Sequence, residues 1–196
     1  MVKTAISPQD ILLPPAFAPV REAMRARVKE IKTHRRVGVG PYATFYFECY
    51  DTLVWQIQEM LRIEHGGADQ VQDEIDAYAP LLPQGSDWTA TLMFEIPDAA
   101  HRRALLSALG HVEDTITLRV GDHLVSAVPT DHDIRTTSEG KTSAIHFLRF
   151  VFEPPIKALL LTHAPSVVLA INHKNYNHHV TLETSVIKAL LSDLTP

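Results

Sequence analysis

Six side chains in this sequence could do chemistry together: Glu48, Gln56, Glu59, Arg62, His146 and Arg149. An imidazole beside a carboxylate can hold and pass a proton near neutral pH, and a guanidinium can grip a carboxylate or phosphate with a planar fork. Gln56 and Glu59 stand three apart, and Gln58 and Arg62 four apart, so on a helix each pair shares a face. The run 143–152 alternates, which sets His146 with Ala144, Leu148, Phe150 and Phe152, and Arg149 with Ile145, Phe147 and Val151. Both polar residues therefore have apolar neighbours. If buried they need partners, since an unpaired polar group costs on the order of several kcal/mol. Glu48, Glu59 and Glu95 are the available carboxylates. The expected site is a polar pocket between a helix and a central strand, in which Arg149 or Arg62 binds an anion while His146 and Glu59 move a proton. The competing expectation is a satisfied buried network that only fixes helix on sheet.

Other motifs carry less. Gly140-Lys141-Thr142 ends like a phosphate-binding loop, but Arg135 stands where that loop needs glycine, and a strand follows it instead of a helix. Gly38 and Gly40 lack a third glycine and precede a strand, unlike a dinucleotide fingerprint. His173, His178 and His179 lie among Asn172, Asn175 and Asn177, which suits an Asn-rich turn between two strands better than a metal centre. Asp69, Asp73, Glu74 and Asp76 follow Glu64 without the glycine-centred calcium loop, and read as a solvated acidic face. No metal and no cofactor are expected.

The elements that must position these residues follow from periodicity. Phe17, Val20, Met24, Val28 and Ile31 recur at helical spacing, so residues 16–34 are expected to form one amphipathic helix, started by Pro14 and Pro15. A basic stripe of Arg21, Arg25, Lys29, Lys32 and Arg36 runs beside its apolar face. Residues 37–41 break that helix, and 42–49 alternate as a strand. A second helix is expected at 52–65, capped by Asp51 or Thr52, and a short acidic one at 68–78. Further strands are expected at 88–96, 114–120, 123–128, 143–152, 166–173 and 178–183, with helices at 97–109, 155–163 and 185–194 and a polar loop at 129–141. Hairpins with interspersed helices imply a single α+β domain: a mainly antiparallel sheet with helices packed on it, the N-terminal helix among them.

Several strings carry a resemblance. Phe47-Glu48, the run from Trp55 to Arg62, Asp76-Ala77-Tyr78-Ala79-Pro80-Leu81-Leu82-Pro83, and the run from Lys141 to Phe150 are similar to those of a bacterial family known as domain of unknown function 3501. The resemblance spans nearly the whole chain, although Ala79 stands where that family usually has asparagine. It implies no activity, cofactor or substrate. The family's genes lie beside rubrerythrin-like and iron–sulfur oxidoreductase genes, which implies a redox setting by association.

Composition narrows the classes. A chain of 196 residues with 45% hydrophobic residues can bury a core without staples. Its one cysteine, Cys49, rules out an intramolecular disulfide and any zinc or iron–sulfur centre held by several cysteines of this chain. The longest aliphatic runs, 158–161 and 167–171, fall far short of the ~20 residues of a membrane span, and a cytoplasmic address is expected. Net charge is −5, but residues 21–36 alone carry +5, which leaves −10 for the rest. The leading expectation is a non-catalytic binding or accessory protein with an oxidoreductase partner. The alternative is a small acid–base enzyme on an anionic small molecule, and the third option is nucleic-acid binding through the basic helix.

Overall fold

The computed structural model describes residues 2–130, 135–138, 140–163 and 165–195. Alternation and turn chemistry build an α+β fold, but the strands form two antiparallel sheets rather than one. In chain order the first half holds α1 (Pro14–Phe17), α2 (Arg21–Thr33), β1 (Arg36–Val39), β2 (Ala43–Phe47), α3 (Tyr50–Ile63), α4 (Val71–Tyr78) and β3 (Asp87–Phe94). The second half holds α5 (Ala99–Ala108), β4 (Ile116–Val120), β5 (His123–Ser126), β6 (Val128–Pro129), β7 (Ile145–Val151), α6 (Pro154–His163), β8 (Val167–His173), β9 (Tyr176–Thr181) and α7 (Thr184–Leu191). One sheet has the order β1-β2-β3-β7-β6, the other β5-β4-β8-β9.

The main core lies between the two sheets. Phe45, Phe47, Trp88, Leu92 and Phe150 of the first face Ile116, Leu118, Leu169 and Ile171 of the second, all essentially inaccessible to water. Burying each such side chain contributes about 1.5–3 kcal/mol. Ile156 and Leu160 of α6 and Val186, Ile187 and Leu190 of α7 join this core, and the Trp88 indole donates to the Leu190 carbonyl at 2.9 Å. On the other side of the five-stranded sheet, Leu53 of α3 packs with Leu81, Leu82 and Phe147. Val54, Ile57 and Leu61 of α3 meet Val71 and Ile75 of α4 and Ile11 of the N-terminal segment. β3 is thus buried on both faces, whereas on the helix side of β7 Phe147 and Arg149 are half-buried and Ile145 and Val151 are exposed.

Four expected boundaries change. The helix expected over 16–34 is broken into α1 and α2, because Pro19 lacks the N–H that a continuing helix needs. The supposed break at 37–41 contains a strand, β1, which pairs with β2 in register Val37↔Phe45. Gly40 makes the turn between them at φ +69°, and a Cβ there would fall 2.6 Å from the His178 ring. The cap of α3 is Cys49 rather than Asp51 or Thr52. The expected loop over 129–141 gives up its first residue to the two-residue strand β6, and positions 131–134 and 139 lie outside the described residues.

Candidate functional site

Successive side chains of a strand point to opposite faces. On β7 this sends His146 into the space between the sheets and Arg149 into the layer beneath the helices. The six residues expected to share one pocket therefore do not meet, and Glu59 and His146 lie on opposite sides of the sheet.

Glu59 sits on the outer part of α3. Arg21 of α2 grips it with Nε at 2.7 Å and a second nitrogen at 3.0 Å, and Arg62 adds contacts at 3.3 and 3.1 Å. The Arg21 fork, with Arg62 behind it, holds the Glu59 carboxyl down at about 2, well below the usual range. So bound, Glu59 is a poor base at neutral pH. Its work is to dock α2 on α3. Gln56 lies beside Tyr78 of α4, where it opposes the upward push that burial gives the Tyr78 hydroxyl. Gln58, not among the six, is 1% exposed and accepts from the Leu12 N–H at 3.0 Å, which ties down the N-terminal segment.

Glu48, just past β2, is the one expected carboxylate buried between α3 and the sheet. Its two oxygens accept from Thr91 of β3 at 2.9 Å and Thr52 of α3 at 2.7 Å. Arg149 pairs with Asp87 of β3 and donates to the Pro80 and Leu82 carbonyls, which staples the turn after α4 to the sheet. Burial lowers the Arg149 guanidinium somewhat from its ordinary value. Glu95 meets Thr44, Tyr46 and Arg36, not His146.

His146 finds a different carboxylate. Its Nδ1 faces Glu113, on the 3-10 turn before β4, at 3.7 Å, while Nε2 lies 3.0 Å from the Ser143 carbonyl and 3.2 Å from the Thr142 hydroxyl. Burial pushes the imidazole below its ordinary value, and Glu113 opposes that push.

The other feature with chemical potential is a cleft of about 530 Å³ between α2, the start of α3 and the segment after α7. Lys3, Arg27 and Asp51 line it, and at its base lie Cys49 and the buried pair Arg35–Asp193. Arg35 reaches both Asp193 oxygens, at 2.6 and 2.9 Å, and the Glu48 and Ala189 carbonyls besides. Burial pushes the Cys49 thiol up, only partly offset by Arg35, so it is a protonated thiol and not a poised nucleophile.

Sequence reasoning missed Arg35, Asp193 and Glu113. A signal existed for Arg35: it is in phase with Val37 and Val39, both buried on β1. By charge alone it counts only as part of the +5 carried by residues 21–36. Glu113 carries no such signal, because its partner is 33 positions away across two sheets. The His173–His179 region is a tight hairpin between β8 and β9, with the His173 ring accepting from the Asn175 N–H, as the Asn-rich turn led one to expect. Among the described residues, no three His, Cys, Asp or Glu side chains gather as metal ligands, and no helix is long and apolar enough to cross a membrane.

A family model described as "Protein of unknown function (DUF3501)" matches residues 5–194. The chain belongs to the DUF3501 family. A solved structure from Burkholderia pseudomallei, described as a novel protein of unknown function, is similar to this DUF3501 chain at 36% identity and a TM-score of 0.89. The likeness covers 97% of this chain and 100% of that one. No curated protein matches. The DUF3501 match thus takes in both sheets, the α3 layer and the cleft apart from Val2 and Lys3, and brings no ligand with it.

Proposed function

We propose that this protein is a binding or accessory protein, and that the cleft beside α2 receives an acidic segment of a protein partner. The observation that carries this reading is the rim of the cleft. Lys3 and Arg27 stand there with their side chains 61% and 69% exposed, above the buried Arg35–Asp193 pair. Arg25 and Lys29 add exposed positive charge on the outer side of α2, on a protein that is otherwise acidic. Such a patch steers an acidic surface toward it and sets orientation more than it sets affinity. Arg27 already shares its charge with Asp51 at 3.2 Å, so an incoming carboxylate exchanges for a flexible surface contact. An oxidoreductase of the rubrerythrin or iron–sulfur class, in the cytoplasm, is the partner that the resemblance implies, and it is part of this proposal.

The test uses a poly-glutamate peptide as probe and the parent chain beside a Lys3→Glu/Arg27→Glu variant. The variant is expected to bind the peptide at least about tenfold more weakly, a loss of about 1.4 kcal/mol, at unchanged melting temperature. A partner recovered from the native host should show the same loss. Equal binding by parent and variant would refute the cleft. Tighter binding of a single-stranded oligonucleotide, with a steep salt slope, would move the reading to nucleic acid.

A further inference from the structure

The strongest unassigned feature lies away from the cleft. Nε2 of His146 is 3.0 Å from the Ser143 carbonyl oxygen, an acceptor with no proton to give, so Nε2 carries the hydrogen of that bond. A neutral imidazole with Nε2–H has a bare lone pair at Nδ1. That lone pair faces Oε2 of Glu113 at 3.7 Å, and among the described residues neither atom has a hydrogen-bond partner. His146 is 1% exposed and Glu113 8%. An ionised carboxylate against a bare ring nitrogen is repulsive, and in a water-poor site little screens it. A single proton held by either group replaces that repulsion with attraction and leaves the pair with no net charge.

We infer that His146 and Glu113 form a buried proton-binding site that holds one proton between them at neutral pH and latches Thr136, Thr142 and Ser143 to the turn before β4. The surroundings fit. Among the described residues Arg135 is the other charged group acting on His146, and it lowers the ring's pKa, which disfavours placing the proton on the imidazole. The ring of Phe94 on β3, 6.2 Å away and edge-on, is apolar cover. Three hydrogen bonds radiate from the same place: Thr142 N–H to the Leu106 carbonyl at 3.0 Å, His111 N–H to the Thr136 hydroxyl at 2.9 Å, and Ser143 N–H to the Arg135 carbonyl at 2.7 Å. Loss of the proton leaves a buried negative charge facing a lone pair, and these ties loosen first because they hold the two groups together.

The inference is independent of the cleft. Nitrogen-15 and carbon-13 spectra of the full chain at neutral pH test it directly. They should show Nε2 of His146 protonated, with a second proton on Nδ1 or on the Glu113 carboxyl. A bare Nε2 with Nδ1–H would overturn it, as would a neutral Nε2–H ring beside an ionised Glu113. Hydrogen exchange at the Thr142 and His111 amides tests the latch. As pH rises past loss of the proton, opening in the parent should grow about tenfold per pH unit relative to Glu113→Gln, whose amide supplies a fixed N–H. Parallel pH dependence in the two proteins removes the latch. Should Glu113→Gln not fold, the spectra of the parent alone decide the proton's presence.

Discussion

Among the described residues, Arg35–Asp193 and His146–Glu113 are ionisable pairs with both partners buried, and they are built differently. Arg35–Asp193 is closed: both carboxylate oxygens take a guanidinium N–H, and the spare donors reach the Glu48 and Ala189 carbonyls and the Ser192 hydroxyl. His146–Glu113 is open: two polar atoms face one another with no other hydrogen-bond partner among the described residues. A closed pair has repaid the cost of leaving water with hydrogen bonds and works as a fixed bolt. An open pair has a free variable, its proton count. The comparison separates the part of the molecule that joins elements from the part that can respond to its surroundings.

Breaking the bolt should give the largest effect. Asp193→Ala leaves Arg35 buried and unpaired, and urea unfolding should show a loss of about 3–5 kcal/mol. An Arg35→Met/Asp193→Leu double variant should recover most of that loss, since neither charge then remains to be desolvated. The open pair should give a smaller change. His146→Leu strands Glu113 at a cost of about 1–3 kcal/mol, while the His146→Leu/Glu113→Leu double variant should be nearly neutral. If His146→Leu costs as much as Asp193→Ala, the contrast between the two pairs fails.

The buried carboxylate of Glu48 gives a third step. Thr91→Val removes one of its two hydroxyl donors and should cost about 1–2 kcal/mol by the same measurement. Glu59 stands at the surface end of the scale. Its folded value of about 2 lies below the ordinary 4.5 of an unfolded chain, so its stabilisation is fully present above that range. It is lost as pH falls from about 4.5 to about 2, when the unfolded chain takes up the proton first. Glu59→Gln should flatten that part of the stability curve, and added salt should shrink the difference between the two proteins.

Much of the frame could be read from the residues. The alternation of 143–152 puts His146 and Arg149 on opposite faces, and the structure keeps them there. The error was to bring both into one pocket. Burial on both faces of a strand looks the same in a sequence whether one helical layer or a second sheet lies behind it, so the partner of each face stayed hidden. Arg149 found Asp87, one strand over, and His146 found Glu113 across the core. Arg35 was hidden differently, because a cation next to a basic helix resembles its solvated neighbours unless its phase with Val37 and Val39 is followed. Glu59 was correctly placed on the second helix, but its spacing to Gln56 says nothing of Arg21, which reaches it from 38 positions away.

The bolt between Arg35 and Asp193 also orders events in time. Its two residues are 158 positions apart, so Arg35 leaves the ribosome well before Asp193. Until then the guanidinium beside β1 has no carboxylate to meet, and the nascent N-terminal half waits with an unfinished seam. Emergence of Asp193 completes it, so this seam closes only after both α2 and α7 have been made, a late and long-range step.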